Sequence, residues 1–177
     1  MKKTVYLSLG SNVGDRLGHL QDGIARLTTI GRIIGVSALY ETEPVDEPNQ
    51  PWFLNCAMSL ETELMPRQML SAIQAIEHEL GRSRKKGRPK GPRTLDIDIL
   101  LFANSIIDTA SLTVPHPRLH QRRFVLEPLA EIVPDVRHPI LKQTIRELRD
   151  ALPANAGAVR RLSAPDWSPQ AIKTIRE

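Results

Sequence analysis

The sequence predicts an α+β protein built on a ferredoxin-like βαββαβ core, an antiparallel sheet with helices packed on it and C-terminal additions. Two observations carry this. Four short runs (Thr4 to Leu9, Arg32 to Tyr40, Asn55 to Glu61, Leu95 to Phe102) read as strands, and two intervening stretches repeat apolar residues at helical spacing. The resulting order is strand, helix, strand, strand, helix, strand. Two right-handed strand–helix–strand units of this kind put both helices on one face of the sheet and leave the other face for loops and ligands.

Each element has a local reason. The first strand is broken by Gly10-Ser11-Asn12, residues that tolerate turns. Leu17, Leu20, Ile24 and Leu27 then recur at helical spacing, with Gln21, Asp22 and Arg26 opposite and Gly31 just past the end, so a helix runs from about Asp15 to Thr29. After the second strand, Pro44, Pro48 and Pro51 make Glu43 to Trp52 an irregular loop. Pro66 suits a first helical turn, Met69, Leu70, Ile73, Ile76 and Leu80 form an apolar face, and Gly81 stops a second helix near Leu80. Beyond Asn104 we expect a hairpin reaching Val114, a Pro- and His-rich turn, a short helix near Leu126 to Ile132 and a last amphipathic helix from Leu141 to Leu152. Residues after Pro153 read as a loosely held tail with Trp167 as its anchor. The expectation is one domain over residues 1–177.

Composition narrows the class. At 177 residues and 41% hydrophobic content the chain can build a single core, and no apolar run approaches the roughly 18 residues of a membrane span. The lone Cys56 cannot form an internal disulfide and reads as core. A cytoplasmic monomer is expected, with neither membrane nor nucleic acid as partner. The charge of +4 points to an anionic ligand, and seven Lys or Arg residues fall among the twelve positions from Arg82 to Arg93. An RNA-binding module of the same fold order is the competing reading, but aromatics are only 4% of residues, and no strand presents the paired rings on which bases stack.

The sharpest chemical signal is Leu95-Asp96-Ile97-Asp98-Ile99. Strand side chains alternate, so both carboxylates share one face and the apolar residues the other. Asp is disfavoured within strands, and like charges at i and i+2 repel, a local cost of the kind that concentrates at functional sites. Hard oxygen ligands suit magnesium, which completes its shell with water and substrate phosphate. An isolated Asp-x-Asp is more often a solvated strand face; the cations immediately before it change the balance, since guanidinium groups hold phosphate bidentately. Gly10-Ser11-Asn12-Val13-Gly14 follows a strand yet matches neither a dinucleotide fingerprint nor a Walker loop, so a bound nucleotide must be held by arginines and metal. His116 sits in the rigid turn Val114-Pro115-His116-Pro117, able to reach a phosphate or a proton.

Taken together, Leu9-Gly10-Ser11-Asn12, Asn55, Gly91-Pro92-Arg93-Thr94-Leu95-Asp96-Ile97-Asp98-Ile99 and Leu112-Thr113-Val114-Pro115-His116 closely resemble the 6-hydroxymethyl-7,8-dihydropterin pyrophosphokinase family of folate biosynthesis, in order from about residue 4 to residue 138. The resemblance implies pyrophosphoryl transfer from ATP, as co-substrate, to the pterin hydroxyl, leaving AMP. It puts two magnesium ions on Asp96 and Asp98 and makes Arg82, Arg93, Asp96 and Asp98 the catalytic set. It implies a pterin pocket of Thr42, Pro44, Val45, Phe53, Asn55, Asp96 and Phe124, with Asn55 reading the ring edge and the two phenylalanines its faces. ATP would be held by Glu77, Arg82, Arg84, Arg93, Asp98, Ile99, Thr113, His116 and Arg122. Two departures stand out: Lys90 where the family commonly has an aromatic residue, and Ser111 where some members have arginine. A member that only binds is a third reading, against which intact Asp96, Asp98, Arg93 and His116 speak.

Overall fold

The computed structural model describes residues 1–81, 94–164 and 167. Alternation in β1 (Lys3–Ser11) sends Val5, Leu7 and Leu9 to one face, where each is fully buried. α1 (Arg16–Leu27) and α2 (Pro66–Glu79) cover that face. They contribute Leu20, Ile24 and Leu27 from the first helix and Met69, Ile73 and Ile76 from the second to the main core. Asp15 caps α1, its carboxylate accepting from Gly18 N at 3.0 Å, and Pro66 opens α2 as expected. Cys56 is buried in the same core, whose apolar surroundings push its thiol pKa up.

The remaining strands are β2 (Arg32–Val36), β3 (Tyr40–Thr42), β4 (Phe53–Thr62) and β5 (Asp96–Phe102). They are followed by a two-residue hairpin, β6 (Ile107–Asp108) with β7 (Thr113–Val114), and a 3₁₀ turn at Leu119–Gln121. α3 (Arg123–Ile132), α4 (Ile145–Asp150) and β8 (Val159–Arg161) complete the chain. The sheet order is β5-β1-β4-β3-β8, with β2 also on β4, and the pairings are antiparallel. This is the α+β architecture that the element order implies, with the hairpin to Val114 in place.

Five expectations need correction, the first being that Gly10 and Ser11 do not break β1 but end it, paired with Asn55 and Leu54. The strand expected over Arg32 to Tyr40 is two strands, because Ser37 turns inward: its N–H donates to Ala57 O and its hydroxyl accepts from Ala57 N, both at 2.9 Å. Val36 faces Met58 and Tyr40 faces Asn55, so this side carries one residue more than β4, a bulge. The last helix starts at Ile145 and not at Leu141, since Thr144 is its cap and Arg137 bridges Thr144. α3 begins three residues earlier than expected, at Arg123. The tail after Pro153 is not loose throughout: β8 joins the sheet edge, and Trp167 is buried with Nε1 donating to Ser37 O at 2.9 Å.

The second face of the sheet is divided. Leu100 and Leu101 of β5 and Ala57 of β4 pack against Val125, Leu126 and Leu129 of α3 and Ile145 and Leu148 of α4. A register shift between Tyr6 and Leu7, which face Leu101 and Ile99, lets both leucines join this second core while Phe102 returns to the helix side. The half of this face next to Asp96 is left to form a cleft.

Candidate active site

The cleft grows out of strand register. On the face away from α1 and α2, Asp96 of β5 stands opposite Gly10 of β1, Gly10 opposite Asn55 of β4, and Asn55 opposite Tyr40 of β3. One step along, Asp98 is opposite Ser8. Asp96 and Asp98 are half-buried, and their cross-strand neighbours are the small residues Gly10 and Ser8, so β1 leaves the carboxylates open to the cleft. Ile97, between them, is fixed from behind: its side chain is core, and its N–H donates to Glu77 Oε2 at 3.1 Å. Leu95, fully buried, seats where α1 passes so close that a Cβ on Gly23 would lie 2.9 Å from its Cδ2. The acidic pair is therefore held between a packed leucine and a buried carboxylate.

The opposite wall is Asn55, 4% exposed, whose Nδ2 donates to Thr42 Oγ1, with Phe53 and Phe124 nearby. The loop after β3 forms the rim through Glu43, Pro44, Val45, Asp46 and Gln50. It is tied down at two places: Asn12 Nδ2 donates to Gln50 Oε1 at 2.9 Å and to Pro51 O at 3.0 Å. Asp46 faces Arg118 at 3.4 Å and Arg122 at 3.8 Å. The enclosed space is about 280 Å³, of the size that takes a fused bicyclic ring.

His116 N donates to Leu100 O at 2.9 Å, which docks the turn on β5. Its Nδ1 accepts from Arg118 N at 3.1 Å, so the neutral ring carries its proton on Nε2. Burial and then the charge of Arg122 lower its pKa to about 4, against a smaller raising effect of Asp96. At neutral pH it is a hydrogen-bond donor and not a cation. Arg122 stands just before α3 with its guanidinium 5.4 Å from the centre of the Phe124 ring, which joins the phosphate-attracting charge to the aromatic wall.

Of the residues singled out from sequence, Thr42, Pro44, Val45, Phe53, Asn55, Asp96, Asp98, His116, Arg122 and Phe124 line this one cleft. Ser8, Gly10, Glu43, Asp46 and Gln50 line it as well and were not anticipated; only strand register brings Ser8 and Gly10 there. Three expected nucleotide contacts lie elsewhere. Ile99 alternates to the other side of β5 and is 6% exposed in the main core. Glu77 is on α2 behind the same strand, 4% exposed, and Thr113 is exposed on β7. Arg82, Arg84, Arg93, Lys90 and the rest of the basic stretch fall outside the described residues. Two carboxylates on one strand face, bordering a cleft with room for water and phosphate oxygens, are a donor set that fits magnesium.

The 7,8-dihydro-6-hydroxymethylpterin-pyrophosphokinase (HPPK) family model matches residues 6–134. The 2-amino-4-hydroxy-6-hydroxymethyldihydropteridine pyrophosphokinase of Bacillus subtilis is 46% identical over 77% of this chain and 81% of its own length. Its counterpart from Aquifex aeolicus is 42% identical over 82% of this chain and 90% of its own length. The folic acid synthesis protein fol1 of Schizosaccharomyces pombe is 43% identical over 86% of this chain, which spans only 21% of that longer protein. Among solved structures, the HPPK-DHPS of Plasmodium falciparum superposes with a TM-score of 0.69 at 18% identity, over 85% of this chain and 45% of that one, a likeness of fold. No helix among the described residues is long and apolar enough to cross a membrane.

Proposed function

The chain belongs to the 7,8-dihydro-6-hydroxymethylpterin-pyrophosphokinase family, diphosphokinases of folate biosynthesis, and we propose that it moves the pyrophosphoryl group of ATP onto the hydroxyl of 6-hydroxymethyl-7,8-dihydropterin with two magnesium ions on Asp96 and Asp98. The products are AMP and the pterin pyrophosphate. One observation carries the assignment of residues: the acidic pair and the amide–aromatic wall of Asn55, Phe53 and Phe124 border the same cleft. The longer relatives' further activities do not come with the match.

Asn55, anchored by Thr42, presents its remaining amide hydrogen and its carbonyl oxygen to the pterin edge, and Phe53 and Phe124 give it apolar faces. Asp96 and Asp98 would hold the metals, which would supply positive charge to offset that of the phosphates during transfer. Neutral His116 donates from Nε2 to a phosphate oxygen, and Arg122 supplies fixed positive charge beside it. By resemblance, Arg82, Arg84 and Arg93 grip the nucleotide phosphates, Arg82 and Arg93 being catalytic. Glu77, buried behind Ile97, fixes the strand that carries the metal ligands. The proposal includes a monomer that acts in the cytoplasm as one domain over residues 1–177.

The test is product analysis with ATP, magnesium and 6-hydroxymethyl-7,8-dihydropterin. AMP should accumulate only when the pterin is present; pterin-independent ADP or no nucleotide turnover would overturn the reading.

A further inference from the structure

The family match ends at residue 134, and no described residue beyond it lines the cleft, yet the end of the chain grips the cleft's rim. β8 pairs with β3 so that Val159 faces Thr42, the residue that anchors Asn55. Past Thr42 the rim loop leaves β4, and Glu43 N donates instead to Ala158 O at 3.0 Å. Ala158 N in turn donates to Glu43 Oε2 at 3.2 Å. Gly157, at φ +106°, lies so near the rim that a Cβ there would be 3.4 Å from Val45 Cγ1. The far end of the loop is reached as well: Arg160 bonds Glu41 at 2.7 Å, Glu41 bonds Arg16 at 2.9 Å, and Arg16 donates to Trp52 O at 3.0 Å. Leu162 N to Leu39 O at 2.8 Å and the buried Trp167 fasten the strap to the body.

We propose that residues 157–161 are a positioning strap for the pterin pocket, setting pterin affinity by holding Glu43 to Val45 while leaving nucleotide binding and the chemical step to residues on β5 and beyond. The proposal rests on the cleft being the pterin site. The strap itself contributes no side chain to the cleft; its grip passes through backbone pairing and the Ala158 N bond to the Glu43 carboxylate. The middle of the loop has its own ties to Asn12, Arg118 and Arg122, so losing the strap frees the first three loop residues selectively. A rim that must be ordered on binding costs affinity without altering the reacting groups.

The test compares the full chain with a chain ending at Pro153 and with Gly157→Val, which forces a branched side chain into a positive-φ position facing Val45 while keeping Trp167. Pterin affinity is measured by titration calorimetry in the presence of magnesium and a non-hydrolysable ATP analogue, alongside analogue affinity, kcat, KM and melting temperature. The expected result is a pterin Kd and KM raised roughly tenfold, with analogue Kd and saturating kcat changed less than about twofold. A synthetic peptide of residues 154–177 added to the shortened chain should restore pterin affinity. Pterin affinity unchanged in a folded variant, or nucleotide and pterin affinities falling together, overturns the strap. If the shortened chain does not fold, Gly157→Val decides on the same readouts. A full chain that binds the analogue but not the pterin overturns the pocket assignment itself, and the strap with it.

Discussion

Replacing His116 with Asn separates the charge state of this residue from its structural bond. Asn Oδ1 can stand where His Nδ1 accepts from Arg118 N at 3.1 Å, so the turn keeps its hydrogen bond and loses only its titrating ring. In the folded wild type, burial and Arg122 hold the His116 pKa near 4, while the unfolded chain takes up a proton near 6.5. The unfolded state therefore binds more protons between these values. The stability this neutral ring contributes is whole above pH 6.5 and is lost as pH falls towards 4. A move of this size corresponds to about 3 kcal/mol at full effect, and solvent reaching the ring through the cleft reduces it to about 1–2 kcal/mol. His138, lowered by burial and then by His120, acts in the same direction in both proteins and drops out of the difference. Urea unfolding of wild type and His116→Asn at neutral pH and near pH 4.5 should show wild type losing about 1–2 kcal/mol more than the variant. Equal acid sensitivity, or an NMR titration midpoint for the His116 ring near 6.5, would refute the reasoning.

Two further outcomes follow from the strand that carries the acids. Asp96→Asn and Asp98→Asn should each lower pterin-dependent AMP release on the order of a thousandfold while a cooperative unfolding transition is retained; turnover within tenfold of wild type would remove these groups from the reaction. Glu77→Ala orphans the buried Ile97 N–H and should cost about 2–3 kcal/mol, a fall in melting temperature of roughly 4–10 °C, whereas Glu77→Gln keeps an acceptor and should lose less. Equal melting temperatures for wild type and Glu77→Ala would contradict the role given to that contact.

The readable parts of the chain were those where one local rule decides the outcome. Period-two alternation fixed which face of β5 carries Asp96 and Asp98, and Pro66 marked a helix start from its own backbone chemistry. The cleft residues on the loop and α3 came with the family motif and not from spacing, since Phe53 and Phe124 look like ordinary core residues in isolation. What stayed hidden depended on partners distant in sequence. Ser37 breaks the second strand only because Ala57, twenty residues on, satisfies both its N–H and its hydroxyl. β8 is three residues with two arginines, and its only reason to be a strand is the free edge of β3, where Glu41 meets Arg160 and Glu131 meets Arg161. Alternation likewise sends the Ile99 side chain into the core, on the opposite face of β5 from Asp96 and Asp98.

Sheet geometry also explains why the acids and the amide can serve one small substrate. Asp96, Gly10 and Asn55 lie in register on β5, β1 and β4, with one strand between the two ends of the row. Two strand spacings put the backbones of Asp96 and Asn55 roughly 10 Å apart, about the reach of a fused bicyclic ring and its hydroxymethyl arm. Gly10 occupies the middle of that row, and a Cβ there would lie 3.4 Å from Phe53 Cδ1 while crowding the Asn55 amide. Its lack of a side chain thus keeps the floor flat beneath the place where a planar ring would rest. Tyr40, next in the row, directs its hydroxyl to Glu131 of α3 at 2.8 Å and does not line the cleft. The site's length is set by strand spacing on one side and by where α3 covers the sheet on the other, and substrate fit follows from the backbone as much as from any single polar contact.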